Sequence, residues 1–347
     1  MSGNGIMLVG EAWGEAEAEA RQPFIGKSGW LIKQLLSQVG IEYRDCAVTT
    51  VFNLRPPGSN DVINLCGAKP EGIKGMPALV KGKFARAEYT PELARLYGEI
   101  NDENPNLIIA LGATAAWALL GTSGIRAIRG APIGTTSPAS AATGVSLSRT
   151  FKVLPTYHPA AVLREWSLRP IVLADLDKAR RQSQDPSIVR PSREIWVEPT
   201  LEDLQAYEQE YILPARRLSI DIETKGDQIT CIGFAPSISS AIVIPFWSKA
   251  QKDGNYWRTA AEEMRAWAYV KRWCKMKPSV FQNGLYDIHR LWRTYGIACT
   301  LADADTMLCH HALQPEMEKG LGFMGTVYTE EASWKFMSRM ETLKKED

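Results

Sequence analysis

The first half of the chain alternates short apolar runs with segments of helical periodicity, and this alternation constrains its fold more than any other feature. IMLVG at 6–10 reads as a buried strand. SGWLIKQLLSQVG at 28–40 carries apolar residues at helical spacing and stops at Gly40. CAVTTVF at 46–52, LIIALG at 107–112 and FKVLPTY at 151–157 read as three further strands, and ATAAWALLG at 113–121 as a helix entered from Gly112. Strands alternating with helices imply a mostly parallel sheet covered on both faces. The expectation is therefore a three-layer α/β/α unit around a parallel four-stranded sheet. A long excursion, residues 55–89, rich in Gly, Pro and Lys, separates the second and third strands.

A polar break with two prolines, SQDPSIVRPSR at 183–193, follows and reads as a linker. Beyond it the pattern changes. The helix TLEDLQAYEQEY precedes the strands RLSIDIET, CIGFA and AIVIPF, which suggest a sheet beginning with adjacent antiparallel strands. A Trp-rich helix at 258–273, the strand SVFQNG and the helix YDIHRLWRTYG come next, and there is no internal repeat. The boundaries expected are a first domain at 1–183, a linker at 184–196 and a second domain at 197–347.

Composition agrees with two domains. A length of 347 residues is long for one, and 45% apolar residues suffice for packed cores. Net charge is +1, so any contact with nucleic acid must come from local basic patches. The six cysteines are scattered without a CxxC, which fits free thiols in a reducing compartment. The N-terminus runs directly into an apolar strand, without the pattern of a signal peptide. The longest apolar run, 107–120, is broken by Gly112 and too short to cross a bilayer. These features predict a soluble cytoplasmic protein, in the host cell cytoplasm if phage-encoded, with no membrane partner.

Asp221 and Glu223 stand two apart on a predicted strand and so project from one face. Neighbouring carboxylates repel and raise each other's pKa unless a cation lies between them. D-x-E alone fits an exposed sheet edge as well as a cation site. Further along, NGLYDIHRL supplies Asp287 at a strand-to-helix turn, and LADADTMLCHHAL brings Asp305. DIET, NGLYDIHRL and DADTML in this order resemble the first motifs of the DEDD-type 3′→5′ exonucleases, nearest the proofreading domain of phage family-A DNA polymerases. The resemblance covers 197–347. It implies a ribonuclease-H-like fold with a mixed sheet, with Asp221, Glu223 and Asp287 as catalytic ligands of two Mg²⁺ or Mn²⁺ ions. Asn283 and Tyr286 would shape the groove for the terminal nucleotides. By spacing from Asp287 the family's closing Tyr-x-x-x-Asp element is expected near or just beyond residue 347; the tail SWKFMSRMETLKKED has no tyrosine, and its only aspartate is Asp347. His310 and His311 are read as packing and surface residues.

In the first half, GEAWGEAEAEARQPFIGKSG sets glycines and acidic residues at the end of the first strand, where open α/β sheets bind ligands. EAEAEA by itself would fit a solvated helix start. With VTTVFNLRPPG, PNLIIALGATAAWALLG, IRAIRG and VLPTYHPAAVLR, however, the segment over 5–180 resembles the uracil-DNA glycosylase superfamily, nearest its family-4 type. The resemblance implies a pocket that closes on a flipped base. Phe24 would stack on the base, and His158 would donate to O2 of the departing uracil anion. Glu11 or Glu17 would position the attacking water. Residues 161–164 would lie over the minor groove, with Leu163 as a wedge and Arg164 on phosphate.

The sequence also departs from that family. Trp13 replaces the proline of GEAPG, and Thr50 aligns with the asparagine that reads the uracil edge, where it lacks an amide's paired donor and acceptor. One cluster-ligand position aligns with Leu54, no cysteine precedes the first strand, and Cys66 stands alone, so no iron–sulfur cluster is expected. Lys69, Lys74, Lys81, Lys83 and Arg86 in the long excursion are read as contacts to DNA phosphates or as a solvated insertion. The whole reads as the N-terminal part of a phage-type DNA polymerase, acting on single-stranded or primer-template DNA, with a polymerase domain downstream. The first domain is either a working glycosylase for uracil or a modified base, or an inactive reader that binds DNA or recruits a partner.

Overall fold

IMLVGEA forms the first strand, β1 (Ile6–Ala12), buried over its first five residues. Such continuous burial is what a strand adopts when both faces of its sheet are covered. The computed structural model describes residues 3–331. Its contacts divide the described residues into two units, one built from 3–189 together with 322–331, the other from Arg190–Leu321.

In the first unit β1 is followed by α1 (Glu15–Ala20), α2 (Lys27–Gln38), β2 (Ala47–Phe52), the short pair β3 (Cys66–Gly67) and β4 (Phe84–Ala85), and α3 (Thr90–Glu103). Then come β5 (Leu107–Leu111), α4 (Ala113–Leu120), α5 (Ile125–Ile128), β6 (Ile133–Gly134), α6 (Ser140–Thr143), β7 (Lys152–Thr156), α7 (Pro159–Arg164) and α8 (Arg169–Gln182). The sheet runs β2-β1-β5-β7-β6. Its first four strands are parallel, while β6 lies antiparallel to β7, with Ile133 opposite Val153. The sheet is thus five-stranded rather than four-stranded, because a two-residue strand is too short to show a period in sequence.

Alternate residues of β1 feed two cores. Ile6 and Leu8 pack with Leu31, Leu35 and Leu36 of α2 and with Val172 and Leu176 of α8. Met7 and Val9 face Leu93, Leu96 and Tyr97 of α3 and the apolar side chains of α4. The long excursion joins the second core through Val62, Leu65, Ile73, Met76 and Leu79, and its lysines stay exposed. The open edge of β2 is covered by Arg95, whose Nη2 donates to Thr50 O at 2.8 Å and Val51 O at 3.1 Å. A charged clamp of this kind hides the unpaired groups that an edge strand presents.

The second unit comprises β8 (Glu194–Trp196), α9 (Leu201–Tyr207), β9 (Leu218–Lys225), β10 (Gln228–Ala235), β11 (Ser240–Pro245), α10 (Ala260–Met276), β12 (Ser279–Phe281), α11 (Leu285–Tyr295), β13 (Ala302–Asp305) and α12 (Thr306–Leu313). The strand order is β13-β12-β9-β10-β11-β8. The β9–β10–β11 meander is antiparallel and the flanking pairs are parallel. In β9 Leu218, Ile220 and Ile222 are buried, and Ser219, Asp221 and Glu223 between them are exposed. Helix α10 starts at a reciprocal cap between Thr259 and Glu262. The last described helix, α13 (Leu321–Tyr328), packs into the first unit from Gly322 onward.

Candidate active site

The C-terminal ends of parallel strands leave a crevice where loops diverge, and in the first unit it forms a cavity of about 710 Å³. Glu11 at the end of β1, Glu17 on α1, Phe24 before α2, Thr50 on β2, and His158 and Arg164 around α7 all line it. Six residues from five separate stretches of sequence therefore converge on one cavity.

His158 leaves the end of β7 and caps α7, its Nδ1 accepting the Ala160 N–H at 3.2 Å. A ring nitrogen that accepts carries no proton, so the neutral imidazole keeps its hydrogen on Nε2. Burial pushes the His158 pKa below its ordinary 6.5, opposed by Glu11 and Glu17 and assisted by Arg164. The ring stays neutral at pH 7. Its backbone fits only because Gly112 lies beneath it: at φ +92, a Cβ there would stand 2.9 Å from His158 Cβ.

Glu11 is oriented by Thr114, whose hydroxyl donates to Oε2 at 2.6 Å. Glu17 is held differently. Its Oε1 accepts the Gly26 N–H at 2.9 Å, and a Cβ on Gly14 would meet its Oε2 at 2.7 Å. One carboxylate oxygen of Glu17 thus braces the loop that carries Phe24. Phe24 itself has φ +55, a strained value for a non-glycine residue. Its ring sits on Gly10, where a Cβ would come within 2.6 Å of Cζ, and its carbonyl oxygen lies 1.9 Å from where a Cβ on Gly29 would fall.

The Thr50 hydroxyl is committed within its own turn, to Asn53 Oδ1 at 2.6 Å and Phe52 O at 3.0 Å. Its methyl lies on the Gly10 side, near Phe24. Trp13 keeps its main chain tied to Leu54 O at 3.2 Å, while its indole N–H is buried without a hydrogen-bond partner. Leu163 and Arg164 are exposed on α7, and Trp30 and Trp166 are exposed on neighbouring elements. The roles of Gly10, Gly29, Gly112 and Thr114 at the cleft were not legible in the sequence. The glycines in GEAWG, GKSG and ALGAT were the available signal.

In the second unit Asp287 is buried, and its Oδ1 accepts the Ile222 N–H at 3.1 Å. Burial raises its pKa to about 6, with Asp221 and Asp305 adding to the rise. Asp305 caps α12, and its carboxylate accepts the N–H groups of Asn283, Gly284 and Met307 at 3.1, 2.7 and 2.8 Å. The Tyr286 hydroxyl pairs with that of Thr224 at 2.6 Å. Asn283 adopts φ +58 at the turn into α11. His310 is buried against Glu318 O, and His311 is exposed. The closing Tyr-x-x-x-Asp element and Asp347 lie outside the described residues.

An α/β/α sheet with a cleft at its strand ends and a neutral histidine in that cleft defines a class, and comparison places the chain within it. Residues 3–181 match the model of the uracil DNA glycosylase superfamily, and the chain belongs to that superfamily. It is 32% identical over 179 residues to a type-4 uracil-DNA glycosylase of Thermotoga maritima, covering 50% of this chain and 76% of that protein. It is 34% identical over 172 residues to the type-4 uracil-DNA glycosylase of Pyrobaculum aerophilum, covering 50% and 74%.

This relationship corrects the cofactor expectations. Type-4 uracil-DNA glycosylases are iron–sulfur enzymes, so the expectation of a chain without an iron–sulfur cluster does not stand. As for donors, Cys66 is buried with its thiol donating to Val62 O at 3.4 Å. Among the described residues no group of three or more His, Cys, Asp or Glu side chains is placed to hold a metal ion. The expected Mg²⁺ or Mn²⁺ pair on Asp221, Glu223 and Asp287 is corrected on the same ground, since among the described residues these carboxylates are not grouped to hold a metal ion. No described helix is long and apolar enough to cross a membrane.

Proposed function

We propose that the first unit is a DNA glycosylase that accepts a flipped pyrimidine, uracil or a modified base, and hydrolyses its bond to the sugar. The observation that carries this reading is the Ala160 N–H on His158 Nδ1, which leaves Nε2–H as a donor in the cleft. As the glycosidic bond breaks, negative charge develops on the base, and a neutral donor held in the cleft stabilises that charge. Phe24 supplies the stacking face. Glu11, oriented by Thr114, positions the attacking water, while Glu17 holds the Phe24 loop. Leu163 enters the space left by the flipped base, and Arg164 contacts phosphate, with the exposed lysines of the excursion reaching further along the strand. Because the Thr50 hydrogen is already donated within its own turn, the pocket reads the uracil edge weakly.

For the second unit the reading is 3′→5′ exonuclease action. It is supported by Asp221 and Glu223 on one exposed face of β9 with Asp287 close enough to feel Asp221, and by Asn283 and Tyr286 beside them. A DNA polymerase as the partner of this activity belongs to the same reading. A DNA-reading role without excision is the competing account of the first unit, favoured by Trp13 and Thr50.

One experiment addresses both units. A single-stranded oligonucleotide with one uracil, labelled at its 5′ end, is incubated with the full chain and treated with alkali. Cleavage at the uracil should fall by about 10²-fold or more in His158→Ala, the scale for loss of a charge-stabilising donor. Progressive shortening from the 3′ end should disappear in Asp221→Asn. Uracil cleavage undiminished in His158→Ala would end the glycosylase reading, and an intact 3′ end with the parent chain would end the exonuclease reading.

A further inference from the structure

Behind the cleft lies a group of buried charges that base excision does not use. Arg129, Asp175 and Lys178 are each at most 1% exposed. Arg129 grips Asp175 with two nitrogens, Nε at 3.0 Å and Nη2 by a second contact. Asp175 Oδ2, which takes the Arg129 Nε–H, also accepts the Thr156 hydroxyl at 2.7 Å. Thr156 ends β7, two residues before His158, and its carbonyl accepts the Gly112 N–H at 2.8 Å. Gly130, next to Arg129, donates to Pro155 O at 2.9 Å. A carboxylate–guanidinium pair is therefore bonded, through one hydroxyl and one main-chain contact, to the stretch from which His158 projects.

The chain that follows the second unit completes this group. Arg129 Nη1 donates to Thr326 Oγ1 at 2.8 Å. Lys178 Nζ has three donors and three carbonyl partners: Gly130 O at 2.5 Å, Thr326 O at 2.8 Å, and Thr329 O. Buried cations are stable only when their hydrogen bonds are filled, and removing one partner is costly where the group cannot reach water. Two of the three acceptors of Lys178, and one partner of Arg129, come from residues 326–329.

We infer that Arg129, Asp175 and Lys178, closed over by residues 322–329, act as positioning residues for His158. The glycosylase-type cleft is then complete only with the chain that follows the second unit. The inference rests on His158 being the leaving-group donor, but its test does not. His158 is faced by Glu11 from β1, Glu17 from α1 and Arg164 from α7. Glu11 is held by Thr114 and Glu17 by Gly26, not by the group behind β7, so a change in the His158 titration reports its own enclosure.

The test uses the full chain, labelled at histidine Cε1, with the His158 titration midpoint read by NMR beside thermal unfolding. Thr326→Val and Lys178→Met should each raise the midpoint by about half a pH unit as water reaches the ring. Thr326→Ser, which keeps the hydroxyl, should restore the parent value. A midpoint unchanged in both variants overturns the inference, even if the melting temperature falls, because that is the mark of a merely structural role. A shifted midpoint in chains that excise no base at all would sustain the positioning role and remove the glycosylase reading instead.

Discussion

His158 in the first unit and Asp287 in the second are both buried titratable groups, and both are pushed toward their neutral forms, yet pH acts on them in opposite senses. The imidazole has a folded pKa below its ordinary 6.5, so below that value the unfolded chain binds more protons. Its contribution to stability is present above about pH 6.5 and is lost as pH falls. The carboxyl has a folded pKa of about 6 against 3.8, so the folded chain holds the extra proton. Its contribution is present below about pH 3.8 and lost as pH rises through about 6. Burial alone does not make a site. The histidine sits where loops enclose a cavity and one ring nitrogen is fixed by the backbone, whereas the aspartate spends an oxygen on the strand beside it and leaves Asp221 and Glu223 on an open face.

That contrast can be broken most forcefully at the glycines under Phe24. Gly29→Ala would place a methyl 1.9 Å from the Phe24 carbonyl oxygen. It should cost at least about 1–3 kcal/mol in the first unit, as overpacking does, seen as a lower urea midpoint for that unit with the second unchanged. Equal midpoints would show that the loop yields. A smaller effect separates the units by pH. Between pH 6.5 and 5 the melting of the first unit should fall and that of the second should rise, with Asp287→Asn flattening only the second. Parallel movement of both would contradict the opposed titrations. The smallest effect concerns selectivity. Thr50→Asn should raise uracil cleavage by up to about tenfold, the scale of one net hydrogen bond, and an unchanged rate would mean that the base edge is read elsewhere.

Sequence carried much of the frame and less of the cleft. The four parallel strands were legible because continuous apolar runs alternated with helical periods, and the outward pairing of Asp221 and Glu223 followed from the period of two in LSIDIET. Strand β6 was not, being two residues long. The roles of Gly10, Gly29 and Gly112 were hidden because each depends on how closely another segment passes. Glu11 and Glu17 looked equivalent in sequence, and only the partners Thr114 and Gly26 distinguish them. The contact of Arg129 with Thr326, across 197 positions, has no local signal at all. The iron–sulfur expectation failed for another reason: counting cysteines tests ligands and not kinship.

Helix α13 has a consequence for how the chain is made. Its residues from Gly322 pack with the first unit, so a ribosome must finish the second unit before the first receives its last piece. At roughly 5–20 residues per second the intervening stretch takes on the order of ten seconds to synthesise. Throughout that interval Arg129 and Lys178 stand without their final partners, and the nascent first unit is held short of its finished form until translation has passed the second.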